Sequence, residues 1–414
     1  MNRRTTRLLL ICASLLSVVC AADGPQFECV CVDEAAHGYA TFRSHNQKVV
    51  ANECGIFMAH IRTRNEEYTA QPWRLLHSVD GGRSFDIVFE ATDATNPPAL
   101  EADAVGNVYL VRPDFVDGNA YLYRFLSDNG FKGPRISTIP GGSAGKFCMY
   151  LDGRRQQLYY FAHNNAFHVL GLDGAAKRSV KLPKPGPHAV LQYPQLAMED
   201  GVLHAAWTTQ KHDVYLYWDI HFMLSRDGGQ TWRTPEGTAL EPPIIVDDAG
   251  PTPRITLDDE FEAHTWLSNV AVQGGKLHFF YLAQTTPPRE HYMRYNVATG
   301  ERDVHEQPVF KGDAFALQGL DGFFARHRDH AGPLYCLGAN DGHLACLISR
   351  DNGATWHDYA QSEEAFHIYS LGGCRHVTDD GYIIGSFTNQ GGSNLIPGQD
   401  SKVYFFRLKA HGEA

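Results

Sequence analysis

Apolar, aromatic-rich runs recur along this chain, each preceded by a shorter run and a polar, glycine-type turn. The unit returns at residues 49–61, 100–111, 149–161, 196–207, 270–282, 324–337 and 376–387. Its turns read Asn52-Glu53-Cys54-Gly55, Asp152-Gly153, Asp200-Gly201, Gln273-Gly274-Gly275 and Asp380-Gly381, among others. Short strands joined by such turns form antiparallel hairpins, because Gly and Asp accept the backbone angles that a tight reversal needs. Seven units beyond residue 21, roughly 56 residues each, suit four-stranded blades with loops. The expected fold is all-β: one seven-bladed propeller over residues 22–414, with six blades as the alternative. Residues 181–187 read as a Pro-rich loop within it.

A second repeat has the pattern S-x-D-x-G-x-[ST]-[FW]. It occurs as Ser78-Val79-Asp80-Gly81-Gly82-Arg83-Ser84-Phe85, as Ser225-Arg226-Asp227-Gly228-Gly229-Gln230-Thr231-Trp232, and as Ser349-Arg350-Asp351-Asn352-Gly353-Ala354-Thr355-Trp356. Ser127-Asp128-Asn129-Gly130-Phe131 is a degenerate fourth copy. In this turn Asp folds back on backbone amides, Gly takes positive φ, and the aromatic plugs between sheets. The pattern resembles the Asp-box, or BNR repeat, of sialidase-superfamily propellers. That resemblance implies architecture and carries no chemistry by itself.

Composition agrees with a turn-rich globular chain: 414 residues, 43% apolar and 12% aromatic, with 39 Gly and 21 Pro. Coiled-coil, collagen and disordered classes are excluded. Arg3, Arg4 and Arg7 before an apolar run at 8–19, with Val19 and Ala21 at a cleavage position, read as a signal peptide over residues 1–21 and imply export. No other run is long enough for a membrane helix. Loss of those three arginines takes the net charge from −11 to about −14, which disfavours nucleic acid as a partner. Seven cysteines lie beyond the leader; Cys336 and Cys346 are candidates for a disulfide or for small buried residues. The 21 histidines are in excess, roughly twice the ordinary frequency.

In a propeller blade the innermost strand comes first and the second returns antiparallel. First-strand starts and second-strand ends therefore share one face. That rule gathers Arg43, Ser44, His45, His60, Arg62 and Arg64; Asn96, Arg112 and Asp114; and Lys146, His163 and Asn164. It also gathers Gln192, Tyr193 and His212; His264 and Trp266; Gln318, Asp321, Asn340 and Asp341; and His367, Tyr369, Asn389 and Gln390. Donors and flat rings are what sugar hydroxyls, carboxylates and ring faces require.

Two site resemblances bear on the chemistry. After the last Asp-box, His367-Ile368-Tyr369-Ser370-Leu371 resembles the Y-S-x-L element of sialidases, whose Tyr is the nucleophile. Tyr39-Ala40-Thr41-Phe42-Arg43 is similar to the element whose Arg clamps a substrate carboxylate. This resemblance implies an exo-glycoside hydrolase on acidic glycans, with Tyr369 attacking, Arg43 clamping, and Glu66 or Asp114 as the acid. The chain departs from it in lacking two further clamp arginines at the matching places; Arg375 could substitute, but it follows Tyr369. More loosely, His45-Asn46 and His60 resemble the BNR-type propellers that are polysaccharide lyases on uronate polymers such as ulvan. That likeness implies acid–base work by His45, His60, His163 and Tyr193 or Tyr369.

The leading reading is a sialidase-like exo-glycoside hydrolase, with a uronate lyase as the first alternative and a non-catalytic glycan-binding or scaffold propeller as the second. In all three the partner is a glycan or polysaccharide, with Arg62, Arg64, Arg112, His163, Tyr193, His264 and Arg375 as binding candidates. No cofactor is implied: Walker, dinucleotide and HExxH motifs are absent. Asp247-Asp248 and Asp258-Asp259-Glu260 are weak calcium candidates. Arg326-His327-Arg328-Asp329-His330 reads as a solvated hairpin loop or as a metal or anion site.

Overall fold

The computed structural model describes residues 24–42, 47–62, 70–257, 264–284, 289–315, 322–389 and 401–411. The leader segment, Arg43, His45, Arg64, Glu66 and residues 258–260 lie outside them. Seven antiparallel sheets follow one another around a central shaft. Their innermost strands are Val49–Asn52, Ala99–Ala102, Phe147–Asp152, Ala189–Glu199, Thr265–Gln273, Phe323–Arg326 and Ile368–Gly373, here blades 1 to 7. The seven-bladed expectation holds.

Blade 7 differs from the expected unit. Its inner strand precedes His376, and an eight-residue excursion separates it from Tyr382–Asn389. Its outermost strand is Phe27–Ala36, which pairs with Ser401–Lys409, Phe27 opposite Leu408. The two ends of the described chain thus share one sheet, and the pairing saturates an edge that would otherwise be open. The segment 181–187 is not wholly loop: Pro183–Lys184 pairs with Ile244–Ile245 in parallel.

The repeated turn explains how blades dock. Asp351 Oδ1 accepts from the Thr355 amide (2.9 Å) and Ser349 Oγ (2.8 Å), and Oδ2 accepts from Thr355 Oγ1 (2.7 Å). Asp80 and Asp227 repeat the pattern. Each copy aims its aromatic at the preceding blade: Trp356 meets Tyr292 at 5.0 Å, Trp232 meets Phe167 at 5.4 Å, and Phe85 of blade 1 meets Phe405 of blade 7 at 5.2 Å. The degenerate copy does likewise, with Phe131 against Phe57 at 4.7 Å.

Cys336 and Cys346 sit on paired strands but oppose Leu347 and Leu337. Successive strand residues face opposite sides, so the two sulfurs cannot meet, and neither cysteine forms a disulfide. Among the described residues no helix is long and apolar enough to cross a membrane.

Candidate functional site

The face holding first-strand starts divides into three groups of sequence-predicted residues. In the first, several candidates are consumed by ring closure. Asp33, on the closing strand, accepts from His60 Nε2 (3.0 Å) and Arg62 Nε (2.7 Å), with Arg74 at 3.4 Å. Burial alone would raise the Asp33 carboxyl. Bonds from His60, Arg62 and the Ala35 amide outweigh it and hold that carboxyl well below the usual range. His60 is wholly buried, so its ring is closed to a substrate, and Arg62 is committed to Asp33. Arg112 is 3% exposed, paired with Asp93 (3.1 Å) and Asp114 (3.2 Å) and stacked on Tyr121. Asp114 is thereby a structural anion here and not an unpaired acid.

The second group surrounds Tyr369. Its ring meets Tyr39 edge-on at 5.1 Å, and Thr388 Oγ1 donates to its carbonyl. Ser370 beside it holds φ 53° where the strand register slips between Tyr369 and Gly372. Arg375 does not join Tyr369: it points into the shaft, 2.7 Å from Glu101 and over the Tyr150 ring at 4.0 Å. The expected arginine clamp therefore does not assemble from the described residues.

The third group, on blades 3 to 5, does converge. Lys146 Nζ donates to Gln192 Oε1 (2.7 Å) and Tyr217 Oη (3.1 Å), and stands 4.6 Å from the Tyr193 ring centroid. Among the described residues it has no carboxylate partner and no acceptor for its third N–H. Burial lowers its pKa to about 8. His163 is pinned to the Lys146 backbone, its Nδ1 3.2 Å from both amide nitrogen and carbonyl oxygen. Burial first, and the Lys146 charge with it, lower its pKa, keeping the ring neutral at pH 7. Asn96 Nδ2 holds the approach by donating to the Gly145 carbonyl.

Tyr193 occupies a bulge between Gln192 and Gln195, with φ 45°. A left-handed tyrosine costs about 1–3 kcal/mol, and such strain and bulges gather where a side chain must be re-aimed. Tyr193 meets Tyr217 at 5.3 Å, and Tyr217 meets Tyr215 and Trp266 at the same separation. His264 stacks on Trp266 at 4.9 Å, its Nδ1 accepting from the Tyr217 amide. Burial, with Tyr193 and Tyr215 alongside, raises the Tyr217 phenol far above its ordinary range, so it stays protonated. Tyr215 and Phe115 are exposed at 68% and 44%, giving flat apolar walls beside a polar, cationic floor.

Tyr217 and Tyr215 escaped the sequence rule, which took first-strand starts and second-strand ends only. The loop from second to third strand lies on the same face, so third-strand starts belong there too. The alternation Tyr215-Leu216-Tyr217 was the available signal. Of the weak metal candidates, Asp247 is buried and accepts from the His188, Ala189 and Ala249 amides. No three metal-ligating side chains gather among the described residues.

Fold and site together define a seven-bladed β-propeller with a polar, aromatic-walled cluster on its loop face. A family-25 polysaccharide lyase, an ulvan lyase bound to a GlcA(1-4)Rha3S fragment, is similar with TM-score 0.63 and 11% identity, over 91% of this chain and 95% of that one. The polysaccharide lyase Uly1 is similar with TM-score 0.58 and 10% identity, over 92% and 99%. A Mycobacterium tuberculosis puromycin-hydrolysing peptidase reaches TM-score 0.50 at 11% identity, over 86% of this chain and 52% of that one. At such identities the likeness establishes the fold, which hosts unlike chemistries. No protein-family model and no curated protein matches this chain.

Proposed function

We propose that this protein is an exported carbohydrate-active enzyme that cleaves a uronate-containing polysaccharide by β-elimination at the Lys146 cluster. The observation that carries the reading is the Lys146 ammonium: desolvated, free of any carboxylate among the described residues, and set between Tyr193 and Tyr217. Such a cation is complementary to a sugar carboxylate. Neutralising that carboxylate acidifies the adjacent C5 proton. Neutral His163 takes this proton, the electron pair forms the C4=C5 double bond, the C4–O bond breaks, and Tyr193 protonates the departing oxygen. Tyr215, Phe115 and Trp266 supply faces for neighbouring sugar rings. Glycoside hydrolysis usually needs two carboxyl groups, or a Tyr nucleophile with an acid. Asp114, one of the two candidate acids, is engaged by Arg112, and no carboxylate contacts Lys146 among the described residues, which supports elimination over the sialidase-like alternative.

The test is incubation of purified protein with uronate polymers, sialosides and sulfated polysaccharides. The ultraviolet-absorbing unsaturated uronate should appear with the uronate polymers. In Tyr193→Phe and His163→Ala it should form about 10²–10⁴-fold more slowly. Release of a sugar without that chromophore, or unchanged rates in both variants, would overturn the reading.

A further inference from the structure

The opposite end of the shaft carries a second cationic feature, unrelated to the Lys146 cluster. A cavity of about 50 Å³ lies along the axis, lined by Gln47, Tyr150, Gln195, Asn269, Arg326 and Arg375 among others. It adjoins a wider mouth of about 410 Å³ on the face that carries the Asp-type turns, and the two share Tyr150, Met198 and Arg326.

The charges here do not balance. Arg375 is matched by Glu101 at 2.7 Å. The acids of the mouth are engaged elsewhere: Glu199 accepts from the Gly274 and Gly275 amides at 2.7 and 2.8 Å, with His330 at 3.0 Å, Asp152 pairs with Arg155, Asp200 with Arg154, and Asp329 accepts from the Ala331 amide. Arg326 is 4% exposed. Its guanidinium touches the Met198 carbonyl at 2.9 Å, the His330 ring and the Tyr150 hydroxyl; no carboxylate lies within ion-pair distance among the described residues, and Glu199 acts on it only from beyond the His330 ring. His376, on the same wall, keeps a buried Nδ1 without a partner there. A buried guanidinium with no carboxylate in contact is costly, and Arg326 shares the lining of one small cavity with Arg375, so that two forks, only one of them paired with an acid, can meet the oxygens of an anion there.

We propose that the shaft is a binding site for one small oxyanion, a carboxylate or a tetrahedral sulfate or phosphate, held by Arg326 and Arg375. Arg326 ties blade 6 to blade 4, and Arg375 ties blade 7 to blades 2 and 3. An anion joining them links opposite sides of the ring, so its occupancy reads out as stability.

Sulfate and acetate are titrated separately against chloride at constant ionic strength, with unfolding midpoint and heat of binding recorded. Wild type should show saturable stabilisation by at least one of them, and the arm that saturates names the anion geometry. Arg326→Met should weaken that binding at least tenfold, while Arg326→Lys, which keeps the charge, retains part of it. Equal shifts in wild type and both variants would overturn the proposal, as would no saturation in either arm. Crystals of the wild-type protein soaked in selenate give a reading that needs no variant. An anomalous peak between the two guanidinium groups is expected, and peaks confined to the outer surface would sink the site.

Discussion

At the scale of single residues, burial sets the chemistry of Lys146. Its ammonium loses hydration and gains only neutral acceptors, so its pKa falls to about 8. In the free enzyme the lysine is charged below that pH and neutral above it. Under the proposed function kcat/KM should therefore fall as pH rises through about 8. In the complex the substrate carboxylate favours the charged form, so the limb in kcat lies higher. Lys146→Arg should abolish the limb, and Lys146→Met should lower kcat/KM about 10²–10³-fold. A pH–rate profile of the three proteins checks this; a limb that persists in Lys146→Arg belongs to another group. Lys146, His163, Tyr193 and His264 were legible in the sequence because strand polarity alone decides which face they reach. His60, Arg62 and Arg112 were misread for the complementary reason. Their partners, Asp33 and Asp93, lie on other strands, and residue type does not reveal which cation is already paired.

At the scale of elements, the repeated turn was the most legible feature, since all its bonds close within eight residues. Its role in docking was legible only in part: the aromatic's inward direction follows from the motif, whereas its choice of the preceding blade depends on ring geometry. Trp232 is 1% exposed against Phe167, and Trp232→Ala should cost about 3–5 kcal/mol. Asp351→Ala removes partly exposed bonds and should cost about 1 kcal/mol. Chemical denaturation of both variants checks the ordering, and equal losses would show that the turn's bonds matter as much as its plug. The last unit was misplaced because the excursion after Gly373 carries a Gly-type turn of its own at Asp380-Gly381, which mimics the hairpin of the other blades.

At the scale of the whole molecule, the seven-fold count was readable from repeats, but the closure was not. A strand of ordinary pattern, Phe27–Ala36, gains its partner only once the ring exists. Asp33 joins that strand to blade 1, and Asp33→Asn would leave Arg62 and Arg74 without their shared carboxylate there, at a cost of about 3 kcal/mol. Because the folded carboxyl is held below its unfolded value, this contribution is complete above about pH 4 and disappears as pH falls through the folded pKa. Wild type and variant should therefore differ in urea midpoint at pH 7 and converge in acid. The same closure also orders events in time. Phe27 is among the first described residues to leave the ribosome, and its partner Leu408 is among the last. The early strand must wait, unpaired, for almost the entire chain. No closed ring can exist before residues 401–409 have been made, and until then the blades form an open arc whose first strand has no place to dock.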